Sequence, residues 1–304
     1  VRVVFFKLRK KLERAKFDFQ IREILKTGPV PVVDAPWAIV SMVAKGDVRM
    51  YLLSMKVFYS KLGAGKLVAV IDRDSPSELT QLLSSHFPGI QFVILEDIDT
   101  GNCQRGGTWE RLVYVVRRSA EEYVIQVDCD TLVIGPDISE IQRCVAANVP
   151  FAYADNDWSI KSLREIAAEA ETMSSPYVGI LLERCFATWP EADGWKYVRA
   201  SSGLAGFARG GASLDLLEQF HERMKASLDT RWREWGTEQS GSNFLIGNSA
   251  GATTLPFPEY ATYPLPHSNE RAKFFHFIGS NRFRGNYFAL QGRRVIQEML
   301  AAGA

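Results

Sequence analysis

The 304 residues carry 36 basic and 35 acidic side chains, a formal charge of +1, and 46% of them are hydrophobic. So nearly neutral a chain has no global electrostatic footprint for nucleic acid, and it is long enough to bury a large core in one α/β domain or two small ones. Its four cysteines, Cys103, Cys129, Cys144 and Cys185, form no C-x-x-C pair, which argues against structural zinc and for a reduced, cytoplasmic setting.

No apolar run approaches the roughly 20 residues of a membrane span. The apolar block in residues 1–6 is too short for a secretory signal. It leads into a basic amphipathic stretch, where Arg9, Lys10, Lys11 and Arg14 surround Leu8, Leu12 and Ala15 at helical spacing. Two readings stay open for it: peripheral contact with an anionic membrane, or a helix packed on its own domain with a solvated charged face. Residues 1–30 thus form a helical extension, punctuated by Gly28, Pro29 and Pro31, and residues 31–304 form the main domain.

Along the main domain, residues 37–43 read as a first strand. Asp47 is placed to cap a helix whose apolar face (Met50, Leu53, Val57, Phe58, Leu62) ends at Gly63. Strands are expected at 66–71 and 91–95, with helices at 78–87 and 108–118. Such alternation predicts a doubly wound, mostly parallel sheet flanked by helices. A polar helix at 161–172 follows a second apolar segment, 150–154. The interval 157–196 holds Trp158, Trp189 and Trp195 and reads as an insertion. Glu238 is placed to open a helix over 239–245. Pro256, Pro258, Pro264 and Pro266 predict a long ordered loop.

The most informative segment is Tyr123 to Ile134, in which an apolar, β-branched run meets Asp128-Cys129-Asp130 and then becomes apolar again. A buried strand rarely ends in two carboxylates unless something cationic meets them. Residues i and i+2 of an extended segment share a face, so both acids can converge on a hard cation such as Mg2+ or Mn2+. The bland alternative is a turn in which the carboxylates cap nearby amides. An aspartyl phosphatase loop is a third reading, but Leu132 stands where that loop has threonine or valine.

Behind the D-x-D come, in order, Ser201-Ser202-Gly203, Glu238-Gln239 with Asn243, Leu255-Pro256, and His276-Phe277-Ile278-Gly279-Ser280-Asn281-Arg282. Together these resemble the GT-A glycosyltransferases, most closely family 8, over about residues 37–285. The resemblance implies a metal, Mn2+ or Mg2+, held by Asp128, Asp130 and His276 and bridging the phosphates of a nucleotide-sugar donor. It further implies that Gly279 and Arg282 meet the phosphates, with Arg282 replacing the family's lysine. Arg111, Ser201 and Gly203 are expected at the donor sugar, and Val40, Ser41 and Lys45 toward the nucleotide. Glu238, Gln239 and Asp155 stand where the family has its catalytic and sugar-lining groups, and Glu238 replaces an aspartate. The three tryptophans either recognise an acceptor by stacking or anchor the insertion.

The function so implied is transfer of a hexose from a nucleoside-diphosphate sugar, a UDP-sugar by family habit, to a saccharide, lipid-linked or protein acceptor, with retention. An inverting enzyme using Asp155, Asp157 or Glu238 as base stays open. So does a sugar- or nucleotide-binding protein of the same fold with impaired transfer, suggested by the substitutions at Ser201, Glu238 and Arg282. A sugar nucleotidyltransferase lacks its Gly-rich phosphate loop in residues 37–50.

Overall fold

Residues 2–154, 156, 158–266 and 268–303 are described by a computed structural model, with side chains from residue 8 onward except Ser280. The chain opens with helix α1 (Arg2–Gln20) and a 3-10 turn, then enters strand β1 (Trp37–Met42), helix α2 (Val48–Leu62), β2 (Lys66–Ile71), α3 (Ser77–His86), β3 (Gln91–Ile94), α4 (Trp109–Ser119) and β4 (Tyr123–Val127). The short β5 (Thr131–Val133) and α5 (Ser139–Ala146) precede β6 (Phe151–Tyr153), β7 (Lys161–Ser162), α6 (Leu163–Glu171) and α7 (Val178–Cys185). Then come β8 (Lys196–Tyr197), β9 (Ser201–Phe207), α8 (Leu214–Leu228), α9 (Thr237–Gly247), β10 (Thr253–Leu255), β11 (Tyr260–Thr262), β12 (Phe274–His276) and α10 (Tyr287–Ala302).

A seven-stranded sheet, in the order β10-β6-β9-β4-β1-β2-β3, forms the centre. All its strands run parallel except β9, which pairs antiparallel with both β4 and β6. Alternate residues of β1 and β2 feed two cores, one per face: Ile39 and Leu67 join α2, α3 and α10, while Val40 and Val68 join α4, α8 and α9. The doubly wound architecture expected from strand–helix alternation is present.

Several local expectations are corrected. Asp47 makes no side-chain cap on α2; its carboxylate is taken by Arg14 of α1 at 2.5 Å, and a charged partner competes well with neutral amides. The proline-rich stretch is not one loop, because β11 runs between Pro258 and Pro264 and pairs with β12, while β10 ends at Leu255 just before Pro256. Gly63 does end α2, in the left-handed conformation at φ 93° with its N–H on Tyr59 O.

A second, three-stranded sheet, β11-β12-β5, takes in β5, the strand that follows β4 after a short turn. Antiparallel pairing sets His276 opposite Thr131, and Phe277 N–H donates to Asp130 O at 2.8 Å. This register carries a histidine distant in sequence onto the D-x-D segment. None of the described helices is long and apolar enough to cross a membrane.

Candidate metal centre

Asp128 and Asp130 do not lie on one extended face. They flank the turn between β4 and β5, and the turn rather than strand pleat brings them together. Thr131 Oγ1 donates to Asp128 O at 2.8 Å and meets Ser54 Oγ of α2 at 2.8 Å, fixing that turn from below. One ligand atom each from Asp128, Asp130 and His276 can be chosen so that all lie within 4.8 Å of one another. His276 Nε2 is 3.1 Å from Asp130 Oδ1 and 3.6 Å from Asp128 Oδ2.

The other ring nitrogen is held. His276 Nδ1 lies 2.8 Å from the Tyr153 hydroxyl and 3.0 Å from Ser201 Oγ. A proton on Nδ1 donated to either hydroxyl oxygen leaves the Nε2 lone pair facing the carboxylates, which is the tautomer a metal ligand needs. A β-bulge in the β6–β9 pairing sets Tyr153 beside Ser201 and so delivers both hydroxyls to one ring. Two carboxylates and one imidazole are a donor set that would suit Mn2+ or Mg2+.

Two arginines close the charge balance. Arg111 of α4, buried, donates through Nη1 to Asp128 Oδ1, and its Nη2 is 4.0 Å from Glu238 Oε1. Arg282 donates through Nη2 to Asp130 Oδ2 and through Nε to Phe277 O at 3.1 Å. Burial alone would raise the Asp130 pKa, but His276 and Arg282 outweigh it and hold the group down at about 2. Burial likewise opposes charge on His276, yet the neighbouring Asp130 and Asp128 lift its pKa above the ordinary histidine value.

The remaining expected residues fall into two groups. Gln239 of α9 and Ser201 line a cavity of about 240 Å³ together with Trp158, Tyr177, Glu183 and Arg199. Gln239 Oε1 accepts from Ser202 N–H at 3.1 Å, which fixes its amide. Glu238, by contrast, is buried. Its Oε1 accepts from Ser202 Oγ at 3.0 Å, its Oε2 has no hydrogen-bond partner among the described residues, and burial raises its pKa against the pull of Arg111. Gly203 is required by the histidine: a Cβ there would stand 2.3 Å from the ring atoms Cε1 and Nδ1 of His276.

Val40 and Ser41 are fully buried within β1, as a central strand covered on both faces requires, and neither side chain reaches a surface. Lys45 is exposed on a 3-10 turn before α2, and Gly279 is exposed with φ 52°. Asp155 and Asp157 lie outside the described residues. Of the tryptophans, Trp189 is 6% exposed and packs edge-on against Phe186 and Phe244, and Trp195 leans on Phe244 from the same core. Only Trp158 stands in the cavity wall, with the Arg199 guanidinium 5.3 Å from its ring centre. The sequence reading missed Tyr153, Glu183 and Arg199. Tyr153 sits at the end of an apolar strand, and nothing local distinguishes it from a core tyrosine.

No protein-family model matches the chain. Nor does any curated protein match it in sequence. Among solved structures it is similar to the bifunctional glycosyltransferase WbbM in apo form, with TM-score 0.56 and 16% identity over 90% of this chain and 53% of that one. It is also similar to the galactosyltransferase LgtC in complex with donor and acceptor sugar analogues, with TM-score 0.50 and 12% identity over 88% of this chain and 96% of that one. The chain therefore spans about half the length of WbbM and nearly all of LgtC. These likenesses show the fold, that of the GT-A glycosyltransferases.

Proposed function

We propose that this chain is a metal-dependent glycosyltransferase of the family 8 type, moving a hexose from a nucleoside-diphosphate sugar, with UDP the first base to test, to an acceptor with retention of configuration. The observation that carries this reading is the convergence of Asp128, Asp130 and His276 within 4.8 Å, in a fold shared with solved glycosyltransferases. Those three residues would hold Mn2+ or Mg2+, which when bound supplies positive charge against the diphosphate that leaves as the glycosidic bond breaks.

The chain's own groups do the rest. Tyr153 and Ser201 set the His276 ring, and Arg111 orients Asp128. Arg282, already beside Asp130, is the cation assigned to the donor phosphates, where its fork grips two oxygens. Gln239, fixed by Ser202, borders both the donor corner and the cavity, and we assign it to the reacting sugar. Glu238 acts through Ser202 and Arg111 as a positioning residue, since its carboxylate is enclosed. Asp155 keeps the sugar-lining role, Lys45 and Gly279 border the nucleotide and phosphates, and Trp158 offers its face to a saccharide, lipid-linked or protein acceptor.

A second reading, binding without efficient transfer, draws on the engagement of Ser201 by His276 and of Glu238 by Ser202. One experiment separates them: a nucleotide-sugar panel scored for Mn2+-dependent thermal stabilisation and then for donor hydrolysis. A ligand that binds only the folded state raises the melting temperature. Stabilisation with hydrolysis supports transfer, stabilisation alone supports binding, and no Mn2+-dependent shift with any donor sinks both.

A further inference from the structure

Helix α1 presents two apolar faces, and the domain uses only one. The inner face is anchored by Phe17, 2% exposed, whose ring lies 4.6 Å from Phe288 and 5.1 Å from Phe283. On the outer side Leu8, Leu12 and Phe19 remain 54%, 63% and 63% exposed. At 3.6 residues per turn these three fall within about 40° of one another, with Ala15 about 20° beyond Leu8. A packed amphipathic helix accounts for the inner stripe and leaves Leu8 and Leu12 of the outer one exposed, with Phe19 at the edge of a groove it shares with Ile296 and Leu300 of α10.

Charge identifies the partner. The helix sequence holds seven basic residues against two acidic ones, whereas the whole chain is balanced at +1. Exposed Lys11 lies on one side of the outer stripe and exposed Arg9 and Lys16 on the other, each roughly 60–80° from its centre. Both acids lie further round and are already engaged, Glu13 by Arg9 at 2.8 Å and Asp18 by Arg14 at 2.9 Å. Arg22 sets its guanidinium 4.0 Å from the Phe19 ring centre, so a cation accompanies the most prominent apolar side chain. A second copy of the helix would oppose basic flanks to basic flanks and be repelled.

We infer that the outer face of α1 docks on an anionic lipid bilayer, with Leu8, Leu12 and Phe19 entering the acyl boundary and Lys11, Lys16 and Arg9 meeting headgroup phosphates. The contact proposed for α1 is with the bilayer surface, and none of the described helices is long and apolar enough to cross a membrane. It is also rigidly tied to the candidate site. Arg14 grips Asp47 and the Gly46 carbonyl in the turn that follows β1, and Phe17 packs on Phe283, next to Arg282. Docking would therefore fix the mouth of the site relative to the lipid surface. This inference does not rest on the transfer reading.

Co-sedimentation of the 304-residue chain with phosphatidylcholine vesicles, with and without about one-third phosphatidylserine, tests it. Binding is expected to the anionic vesicles, falling with salt, and to be weak on the neutral ones. The pair Leu12→Ser and Phe19→Ser is expected to lower partitioning by about tenfold or more with the melting temperature unchanged, because both side chains are exposed. The pair Lys11→Glu and Lys16→Glu is expected to remove the anionic preference, roughly fivefold for each basic residue lost and more for reversal. Absence of binding to either vesicle, equal binding to both, or variants that bind like wild type would overturn the proposal. So would a dimer, seen by light scattering, that Leu12→Ser and Phe19→Ser dissolves. Sedimentation reads no turnover, so its failure leaves the transfer reading standing.

Discussion

The corner formed by Asp128, Asp130 and His276 and the cavity wall beside Trp158 adjoin across Ser201 and Gln239, yet they are built in opposite ways. In the corner every polar side chain is held by another, and strand register decides who meets whom: β12 against β5 for His276, β9 against β6 for Ser201 and Tyr153. In the other region aromatic bulk dominates, and most of it is committed to packing, as with Trp189, Phe186 and Phe244. Buried carboxylates are costly unless something uses them, so their presence is informative. A tryptophan gains by burial whatever its role, so its presence in a sequence says little about ligands.

The contrast can be broken most decisively at the corner. Asp130→Ala removes a carboxylate from the cation and frees Arg282, so Mn2+-dependent donor turnover should fall about a thousandfold, the effect of losing several kcal/mol of charge stabilisation. Mn2+ binding followed by electron paramagnetic resonance should disappear with it while the circular dichroism spectrum is retained. Turnover within a few fold of wild type, or insensitivity to chelator, would remove the metal from the mechanism. On the aromatic side, Trp189→Ala should act only on stability, lowering it by about 3 kcal/mol through the cavity it leaves. A variant that melts like wild type but transfers poorly would put Trp189 at the acceptor after all.

These expectations also mark how far the sequence could be followed. The sheet was legible because β-branched runs and amphipathic helices alternate along residues 37–127 and each signal is local. Asp128, Asp130 and His276 were legible as types in an ordered pattern. Their geometry was not, since the register that carries His276 to the acids depends on a pairing about 145 residues apart in sequence, and the turn that joins them is braced by Ser54 from α2. Gly203 shows the limit well: its place in the pattern suggested room for a sugar, whereas the structure shows room for the His276 ring. The resemblance puts Val40 and Ser41 toward the nucleotide, and the sheet order adds that β1 is covered on both faces and that their side chains are buried. Likewise nothing in the spacing of Leu8, Leu12 and Phe19 told which stripe of α1 packs inward.

Gly203→Ala probes the register directly. The new methyl group cannot share space with the ring 2.3 Å away, so His276 must move while Asp128 and Asp130 stay. Loss of an orienting contact to a ligating histidine typically weakens metal affinity 10–100-fold, and Mn2+ titration should read a drop of about that size. Unchanged affinity would mean that His276 is not a ligand. Smaller again is Trp158→Ala, which should leave donor hydrolysis and melting intact and reduce transfer by up to about tenfold, the stacking contribution of one aromatic face.

The smallest effect expected is a change of slope, at Glu183, which lines the same cavity as Trp158. Burial pushes its carboxyl up to about 7 even though Arg199 Nε donates to Oε2 at 2.8 Å, because that guanidinium is shared with Glu169 and cannot fully compensate the lost hydration. The sign of the linkage follows. A carboxyl whose pKa is higher in the folded than in the unfolded chain binds its proton more tightly when folded, so its stabilising share is complete below the ordinary glutamate value and is lost as pH rises through about 7. Melting temperature should therefore decline between pH 5 and pH 8 partly through this group. Glu183→Gln, neutral throughout and still able to accept from Arg199, should flatten that decline while leaving Mn2+-dependent donor hydrolysis unchanged, since Glu183 touches none of Asp128, Asp130 or His276. A slope identical to wild type would mean that Arg199 keeps Glu183 ionised across the range, and that the cavity wall carries a fixed ion pair instead of a group that titrates near neutrality.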